Sequence, residues 1–229
     1  MSTAARATAS LGVDLDRVTF PMSLRDLVRR RLDGRFPIDA FGADPQVQDV
    51  VAPLVSSIVA VDVRHAERIP RSGGALLVSN RGVGLAEPAV LAMAVRRVVG
   101  RRLRIVGGPD VPVIGGLVRK LGGISNRGDD VGVALRAGHL VAAPLAPTWL
   151  RLGAGDPPRT LLAAALGYPV LPVAVAPGGP FGLPLRPWRM DVGEPLEAPE
   201  AVQRGDPLAA AELAEHARDA VASMLRASD

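Results

Sequence analysis

Residues 75 to 95 read ALLVSNRGVGLAEPAVLAMAV, an apolar run, a polar glycine-rich turn and a second apolar run. The first run, Ala75 to Ser79, has the length and the bounding turn of a buried strand. The second predicts a helix, because Pro88 stands where a first helical turn tolerates a missing N–H. When a strand of a parallel sheet feeds a helix in this way, the turn lies at the carboxyl edge, where α/β proteins bind their ligands.

Strand and helix patterns alternate through the rest of the chain. We predict a mixed, mainly parallel sheet flanked by helices, with Ala75 to Ser79 and Val170 to Val175 as interior strands, because apolar runs bounded by turns suit doubly covered sheets. The other predicted strands are 58–63, 103–106, 139–143 and 188–192. The predicted helices are 45–57, 88–99, 111–121, 129–137 (with Asp129 as its cap), 156–166 and 207–225.

The first 44 residues predict an N-terminal extension that precedes one α/β domain spanning residues 45–229. The extension contains a short basic helix, Ser23 to Leu32, with Ser23 as its N-cap. Its apolar stripe of Leu24, Leu27, Val28 and Leu32 is expected to dock on the protein, with the arginines in solvent. The alternative is that Arg29 to Arg31 contact lipid headgroups.

Four short segments stand in a distinctive order: Ser79-Asn80-Arg81, Gly123 to Arg127 (GISNR), Pro144 to Thr148 (PLAPT) and Val170 to Val175 (VLPVAV). Over about Val59 to Val175 this order and spacing resembles the glycerol-phosphate and lysophospholipid acyltransferase family, including the 1-acyl-glycerol-3-phosphate acyltransferases. The resemblance implies the fold of a lysophospholipid acyltransferase.

The family's first motif is Asn-His-x4-Asp, in which the histidine takes a proton from the acceptor hydroxyl and the aspartate orients it. Asn80 matches, but Arg81 stands at the histidine position, Ala86 at the aspartate position and Glu87 one place later. A guanidinium has no acceptor and a pKa above about 12, so Arg81 cannot act as a general base. The catalytic group is therefore unknown.

The substrate-binding motifs are partly kept. Pro144 and Thr148 match the family's Pro-Glu-Gly-Thr, whereas Leu145 and Ala146 replace its glutamate and glycine. Arg127 matches an arginine that binds the acceptor's phosphate. Guanidinium groups suit phosphates, although salt bridges or solvent are the alternative for each of them. The predicted substrate-binding residues are Asn80, Arg81, Arg127, Thr148 and Arg151.

Three functional hypotheses follow. The resemblance implies a degenerate acyltransferase, a pseudoenzyme of phospholipid metabolism that binds acyl-CoA, lysophospholipid or a protein partner. The second hypothesis is an active acyltransferase that uses an unusual base such as Glu87. The third is a nucleotide-binding α/β protein, because Gly82-x-Gly84-x-x-Glu87 follows a strand and opens a helix, although Glu87 replaces the third glycine of that fingerprint.

Composition narrows the remaining classes. The chain has no cysteine, and no two of its three histidines fall at metal-ligand spacing, so we predict no metal site and no cofactor. Aromatic residues make up 3%, which disfavours nucleic-acid binding.

The N-terminus lacks the apolar core of a signal peptide. The uncharged run 160–185 is punctuated by glycine and proline, which predicts helix, turn and strand instead of a membrane span. We expect a cytoplasmic protein that contacts a membrane, if at all, peripherally at the inner face of the plasma membrane.

Overall fold

The computed structural model of the protein describes residues 24–34, 38–80, 87–107, 114–145, 157–179, 186–196 and 206–228. These residues contain seven strands: β1 Val61–Arg64, β2 Ala75–Ser79, β3 Leu103–Val106, β4 Gly123–Ile124, β5 Leu140–Pro144, β6 Val170–Ala176 and β7 Trp188–Val192. They also contain a 3-10 turn, Ala66–Arg68, and seven helices: α1 Leu24–Leu32, α2 Pro45–Ile58, α3 Glu87–Val99, α4 Ile114–Lys120, α5 Gly128–Arg136, α6 Pro157–Ala165 and α7 Pro207–Ser228.

The seven strands form one sheet in the order β1-β7-β6-β2-β5-β3-β4. Only β6 and β7 pair antiparallel, and every other neighbouring pair is parallel. The predicted mixed, mainly parallel α/β sheet is therefore confirmed. Both predicted interior strands are confirmed as well, since β2 lies between β6 and β5, and β6 lies between β7 and β2.

Helices cover both faces of the sheet. Leu76 and Val78 belong to a buried cluster with residues of α5, α6 and α7, whereas Ala75 and Leu77 belong to a second buried cluster with residues of α3. All five residues of β2 are buried. Because successive side chains of a strand point to opposite faces, an uninterrupted apolar run such as β2 requires cover on both sides.

Several boundaries differ from the predictions. Ile58 ends α2 and does not begin a strand, since the apolar period of the helix continues for one more residue and β1 begins at Val61. The N-cap position of α5 is Arg127, so Asp129 lies inside the first turn and does not cap the helix. His139 precedes β5 and donates its N–H to the carbonyl of Ala134.

The expected docking of the α1 stripe is wrong at two positions. The side chains of Val28 and Leu32 are 55% and 83% exposed. α1 does contact α2, but this contact leaves the two apolar side chains in solvent. Ser23, the predicted cap, lies outside the described residues.

The predicted start of the α/β domain after residue 44 stays a prediction. The N–H of Asp44 donates to the carbonyl of Lys120 at 3.0 Å.

Within the described ranges, none of the helices combines the length and the apolar character that crossing a bilayer requires.

Candidate functional site

A small pocket lies where β2 and β5 end. Ser79 is paired with Pro144 in the parallel ladder, and the N–H of Leu145 donates to the carbonyl of Ser79 at 2.9 Å. The pocket has a cavity volume of about 30 Å³. Its lining includes Ser79, Glu87, Leu91, Ile105, Ala142 and Pro144. The carboxyl edge predicted from the sequence therefore carries a cavity with a hydroxyl, a carboxylate and apolar walls.

Glu87 is the carboxylate of this pocket. It is the first residue of α3, and it is only 5% exposed. The partial positive charge at the N-terminus of a helix stabilises a carboxylate in the first turn. Glu87 is therefore the acidic side chain among the residues that line this pocket.

Asn80 lies at the same edge, but its side-chain amide is hydrogen-bonded to the backbone of β6. Its Nδ2 donates to the carbonyl of Val175 at 2.8 Å, and the N–H of Val175 donates to its Oδ1 at 2.6 Å. The side-chain amide thus continues the pairing of β2 with β6 beyond the last backbone pair. A role for Asn80 in substrate binding stays a prediction, and these two bonds leave the second hydrogen of Nδ2 and the second lone pair of Oδ1 for it.

Arg127 does not line the pocket. It is exposed and follows β4, the edge strand of the sheet. β4 lies three strand positions from β2, which is about 14 Å at the usual strand spacing. The structure therefore places Glu87 in the pocket, Asn80 at the end of β2 but outside the pocket lining, and Arg127 farther along the same edge. The other predicted positions, Arg81, Ala86, Thr148 and Arg151, lie outside the described residues.

The chain's three histidines all fall within the described ranges, and none lines the pocket. Nδ1 of His65 lies 2.9 Å from Oδ1 of Asp191. His139 packs edge-to-face against Phe41, with ring centroids 5.7 Å apart. His216 is exposed on α7. None of the three imidazoles is therefore placed to act as a base in this pocket.

Sequence reasoning missed a charged cluster under the Asp39 loop. Arg104 is 6% exposed within β3, pairs with the carboxylate of Asp39 and places its guanidinium carbon 5.4 Å from the centre of the Phe41 ring. Partial burial alone raises the pKa of Asp39, but the hydrogen bonds from Arg104 and from the backbone of Ala43 and Phe41 outweigh it and lower the pKa. The prediction of a brief strand over residues 103–106 did not include this burial, because the partner of Arg104, Asp39, lies 65 residues earlier in the chain.

Metal binding finds no support in the described parts of the chain. They contain no group of three or more histidine, cysteine, aspartate or glutamate residues placed to hold an ion.

No family model matches the chain. It is 29% identical to the uncharacterized protein Rv0502 of Mycobacterium tuberculosis, over 86% of this chain and 71% of that protein. The uncharacterized protein ML2427 of Mycobacterium leprae is also 29% identical, over 86% of this chain and 69% of that protein. Among solved structures, the chain is similar to the 1-acyl-sn-glycerophosphate (LPA) acyltransferase PlsC from Thermotoga maritima. Their TM-score is 0.48 at 18% identity, over 89% of this chain and 84% of the other.

Proposed function

We propose that this protein binds acyl-CoA or a lysophospholipid at the carboxyl edge of its sheet and lacks the general base for acyl transfer at an enzymatic rate. The observation that carries the proposal is the pocket at the end of β2, which holds a buried carboxylate and a hydroxyl but no histidine. The segments that resemble the acyltransferase family support it. They begin or end on β2, β4, β5 and β6, four strands that run in the same direction.

The chemistry of acyl transfer explains the expected impairment. The acceptor's hydroxyl oxygen must attack the thioester carbonyl carbon, the carbon–sulfur bond must break, and a base must remove the hydroxyl proton. Arg81 has no lone pair to accept that proton. Arg81, Arg127 and Arg151 are suited instead to hold phosphate oxygens of either substrate through bidentate hydrogen bonds.

Glu87 supports a second candidate, an active enzyme with a carboxylate base. It is buried in the pocket beside Ser79, which is where a base would meet an acceptor hydroxyl. Carboxylates act as general bases in many enzymes. Two points oppose this role. Glu87 lies one residue beyond the family's spacing, and one residue on a helix rotates a side chain by about 100°.

A nucleotide is the weakest of the three ligand hypotheses. Helix N-termini bind the pyrophosphate of a dinucleotide through their free N–H groups and their positive end. At the start of α3 this place is taken by the buried carboxylate of Glu87, whose charge repels phosphate.

We also propose that the protein contacts anionic membranes peripherally through α1. Val28 and Leu32 present apolar side chains to solvent, and the arginines Arg25, Arg29 and Arg30 are exposed on the same short helix. Apolar residues flanked by cations bind the boundary between headgroups and acyl chains of an anionic bilayer.

Binding of ligands tests the proposal without requiring turnover. We would measure the thermal midpoint of unfolding with palmitoyl-CoA, lysophosphatidate and NADP⁺, each below its aggregation concentration. A ligand at 100 times its Kd adds about 2.7 kcal/mol of stability, which raises the midpoint by several degrees. We expect stabilisation by palmitoyl-CoA or lysophosphatidate and none by NADP⁺. Stabilisation by NADP⁺ alone, or by none of the three, contradicts the proposal.

Matched arginine variants sharpen the experiment. Arg127→Gln should weaken lysophosphatidate about tenfold or more, since a hydrogen bond to a charged group contributes about 1.5–3 kcal/mol. Arg136→Gln is the control, because Arg136 is exposed on the last turn of the same helix, away from the site. Equal effects of the two substitutions would show that Arg127 contributes only to net charge.

A further inference from the structure

A second cleft opens between α2 and α3. It reaches the start of β3, and its cavity volume is about 100 Å³. Most of its wall is apolar and comes from both helices and the residues next to them: Val51, Ala52, Ala92, Met93, Leu103 and Leu121.

Charged residues stand at one end of this cleft. Nη2 of Arg96 lies 2.5 Å from Oδ1 of Asp49, and Nη2 of Arg102 lies 3.2 Å from the same oxygen. Both arginines line the cleft, and their side chains are 33% and 47% exposed. Two guanidinium groups therefore share one carboxylate, which leaves a net positive charge that water and ligands can reach.

The ionisation of Asp49 agrees with this charge count. Partial burial alone raises its pKa, but hydrogen bonds from Arg96 and Arg102 and their positive charges outweigh burial and lower the pKa. Asp49 is thus ionised at neutral pH. It neutralises one of the two arginines and holds both at the mouth of the cleft.

The charged mouth is distant from the candidate site. Arg96 comes nine residues after Glu87 on α3, which is about 14 Å along a helix axis. Arg102 precedes β3, so it lies at the amino edge of that strand, opposite the edge where β2 and β5 carry the pocket. The charged end of the cleft therefore lies apart from the candidate site, whereas its wall extends along α3 to Ala89, which is next in the chain to Pro88 of the carboxyl-edge pocket. A ligand head at this charged end does not depend on the function proposed above.

We propose that this cleft binds a single-chain anionic amphiphile, with its alkyl chain between α2 and α3 and its carboxylate or phosphate head at Arg96 and Arg102. The apolar wall gains free energy by removing alkyl surface from water, at about 25 cal/mol per Å². The guanidinium groups match the oxygen pair of a carboxylate or phosphate head. A cationic head would be repelled by Arg96 and Arg102, and a polar ligand without an alkyl chain would leave the apolar wall uncovered.

Isothermal titration calorimetry with three twelve-carbon amphiphiles tests the proposal. Dodecanoate, dodecyl phosphate and dodecyltrimethylammonium would be used below their critical micelle concentrations. We expect 1:1 binding of the two anions, at least tenfold tighter than the cation. Binding of only one anion identifies whether the head is a carboxylate or a phosphate. Comparable binding of the cation, or no saturable binding of either anion, overturns the proposal.

Substitutions locate the ligand. Arg102→Gln should weaken dodecanoate about tenfold or more, because a hydrogen bond to a charged group is lost. Arg97→Gln is the matched control, since Arg97 is exposed on α3 next to Arg96 and does not line the cleft. Ala92→Trp fills the cleft and should abolish binding; Val51→Phe fills it from α2 if circular dichroism shows that Ala92→Trp does not fold. Unchanged binding in a folded, filled variant, or a dimer that the same substitution dissociates, contradicts the assignment.

Discussion

The side-chain amide of Asn80 pairs with the backbone of Val175 at both of its polar ends. Nδ2 donates to the carbonyl at 2.8 Å, and the backbone N–H donates to Oδ1 at 2.6 Å. The residues are 95 positions apart. The amide therefore joins the end of β2 to β6 and fixes the residue that directly precedes Arg81 in the chain.

Asn80→Asp should lower the free energy of unfolding by about 1–3 kcal/mol. The carboxylate cannot donate to the carbonyl of Val175, and an unsatisfied part-buried polar group costs roughly this amount. Urea unfolding at pH 7 measures the loss. A variant as stable as the natural protein but weaker in binding lysophosphatidate would instead assign Asn80 to the substrate.

The ion pair of Asp39 and Arg104 should respond asymmetrically to substitution. Asp39→Asn should destabilise the protein by about 3 kcal/mol, because the guanidinium left behind is buried. Arg104→Met should cost less, since the carboxylate left behind is 31% exposed and is solvated by water. Asparagine keeps the side-chain oxygen that accepts from the N–H groups of Phe41 and Ala43.

The double variant is the control for that asymmetry. Asp39→Asn with Arg104→Met leaves no unpaired charge, so its unfolding free energy in urea should approach that of Arg104→Met alone. If Arg104→Met costs as much as Asp39→Asn, packing of the arginine stem, and not its buried charge, dominates this cluster.

Stability should fall as the pH drops below 6.5, and His139 should account for part of the fall. Burial first, and then the positive charges of Arg104 and Arg101, lower the pKa of His139 below its usual 6.5, against an opposing effect of Asp39. The unfolded chain then binds more protons in this window. The stabilisation is complete above pH 6.5 and is lost as the pH falls towards the folded-state pKa.

Urea unfolding at pH 7.5 and pH 5.5 measures this dependence. The natural protein should lose more free energy of unfolding between the two pH values than His139→Gln does. Asp39 and Asp49 do not interfere, because their pKa values lie below 3.8. An identical loss in the two proteins would contradict the assignment to His139.

The sequence predicts the bounds of the strands better than it predicts which strands pair with one another. The bounds of β2, β3 and β7 were predicted correctly, because each is a short run bounded by turn residues or by glycine and proline. The order of the strands was not predicted, since pairing joins segments that are far apart in the chain.

The same limit applies to the site. The position of the pocket at the end of β2 follows from a strand, a turn and a helix that are adjacent in sequence. The hydrogen bonds of the Asn80 side chain depend on Val175, 95 residues later in the chain. The burial of Arg104 depends on Asp39, 65 residues before it. No local pattern carries that information, and the cleft between α2 and α3 likewise exists only once the two helices pack.

Binding to anionic vesicles should depend on α1. We expect co-sedimentation with vesicles of phosphatidylglycerol and phosphatidylcholine and weaker binding to phosphatidylcholine alone, since each arginine near an anionic surface contributes about 1 kcal/mol. Val28→Asp with Leu32→Asp should abolish binding. Val133→Asp is the control, because Val133 is 45% exposed on α5. An equal loss in the control, or no binding to either vesicle, would contradict a membrane role for α1.

The natural protein should not transfer acyl groups from palmitoyl-CoA to lysophosphatidate at an enzymatic rate. General-base catalysis contributes about 10²–10⁴-fold, and Arg81 cannot supply it. Arg81→His with Ala86→Asp restores the family's residues, so we expect turnover to rise by at least 10² in this double variant, measured as release of free coenzyme A. Arg81→His alone is the control; it should gain less, because its histidine lacks the orienting carboxylate.

Glu87→Gln separates the two acyltransferase hypotheses. If the natural protein turns over and Glu87→Gln abolishes that turnover, Glu87 is the base and the proposed impairment is overturned. If the double variant stays inactive but binds both substrates, the replacements at Leu145 and Ala146 must also be reversed before the site can position its acceptor.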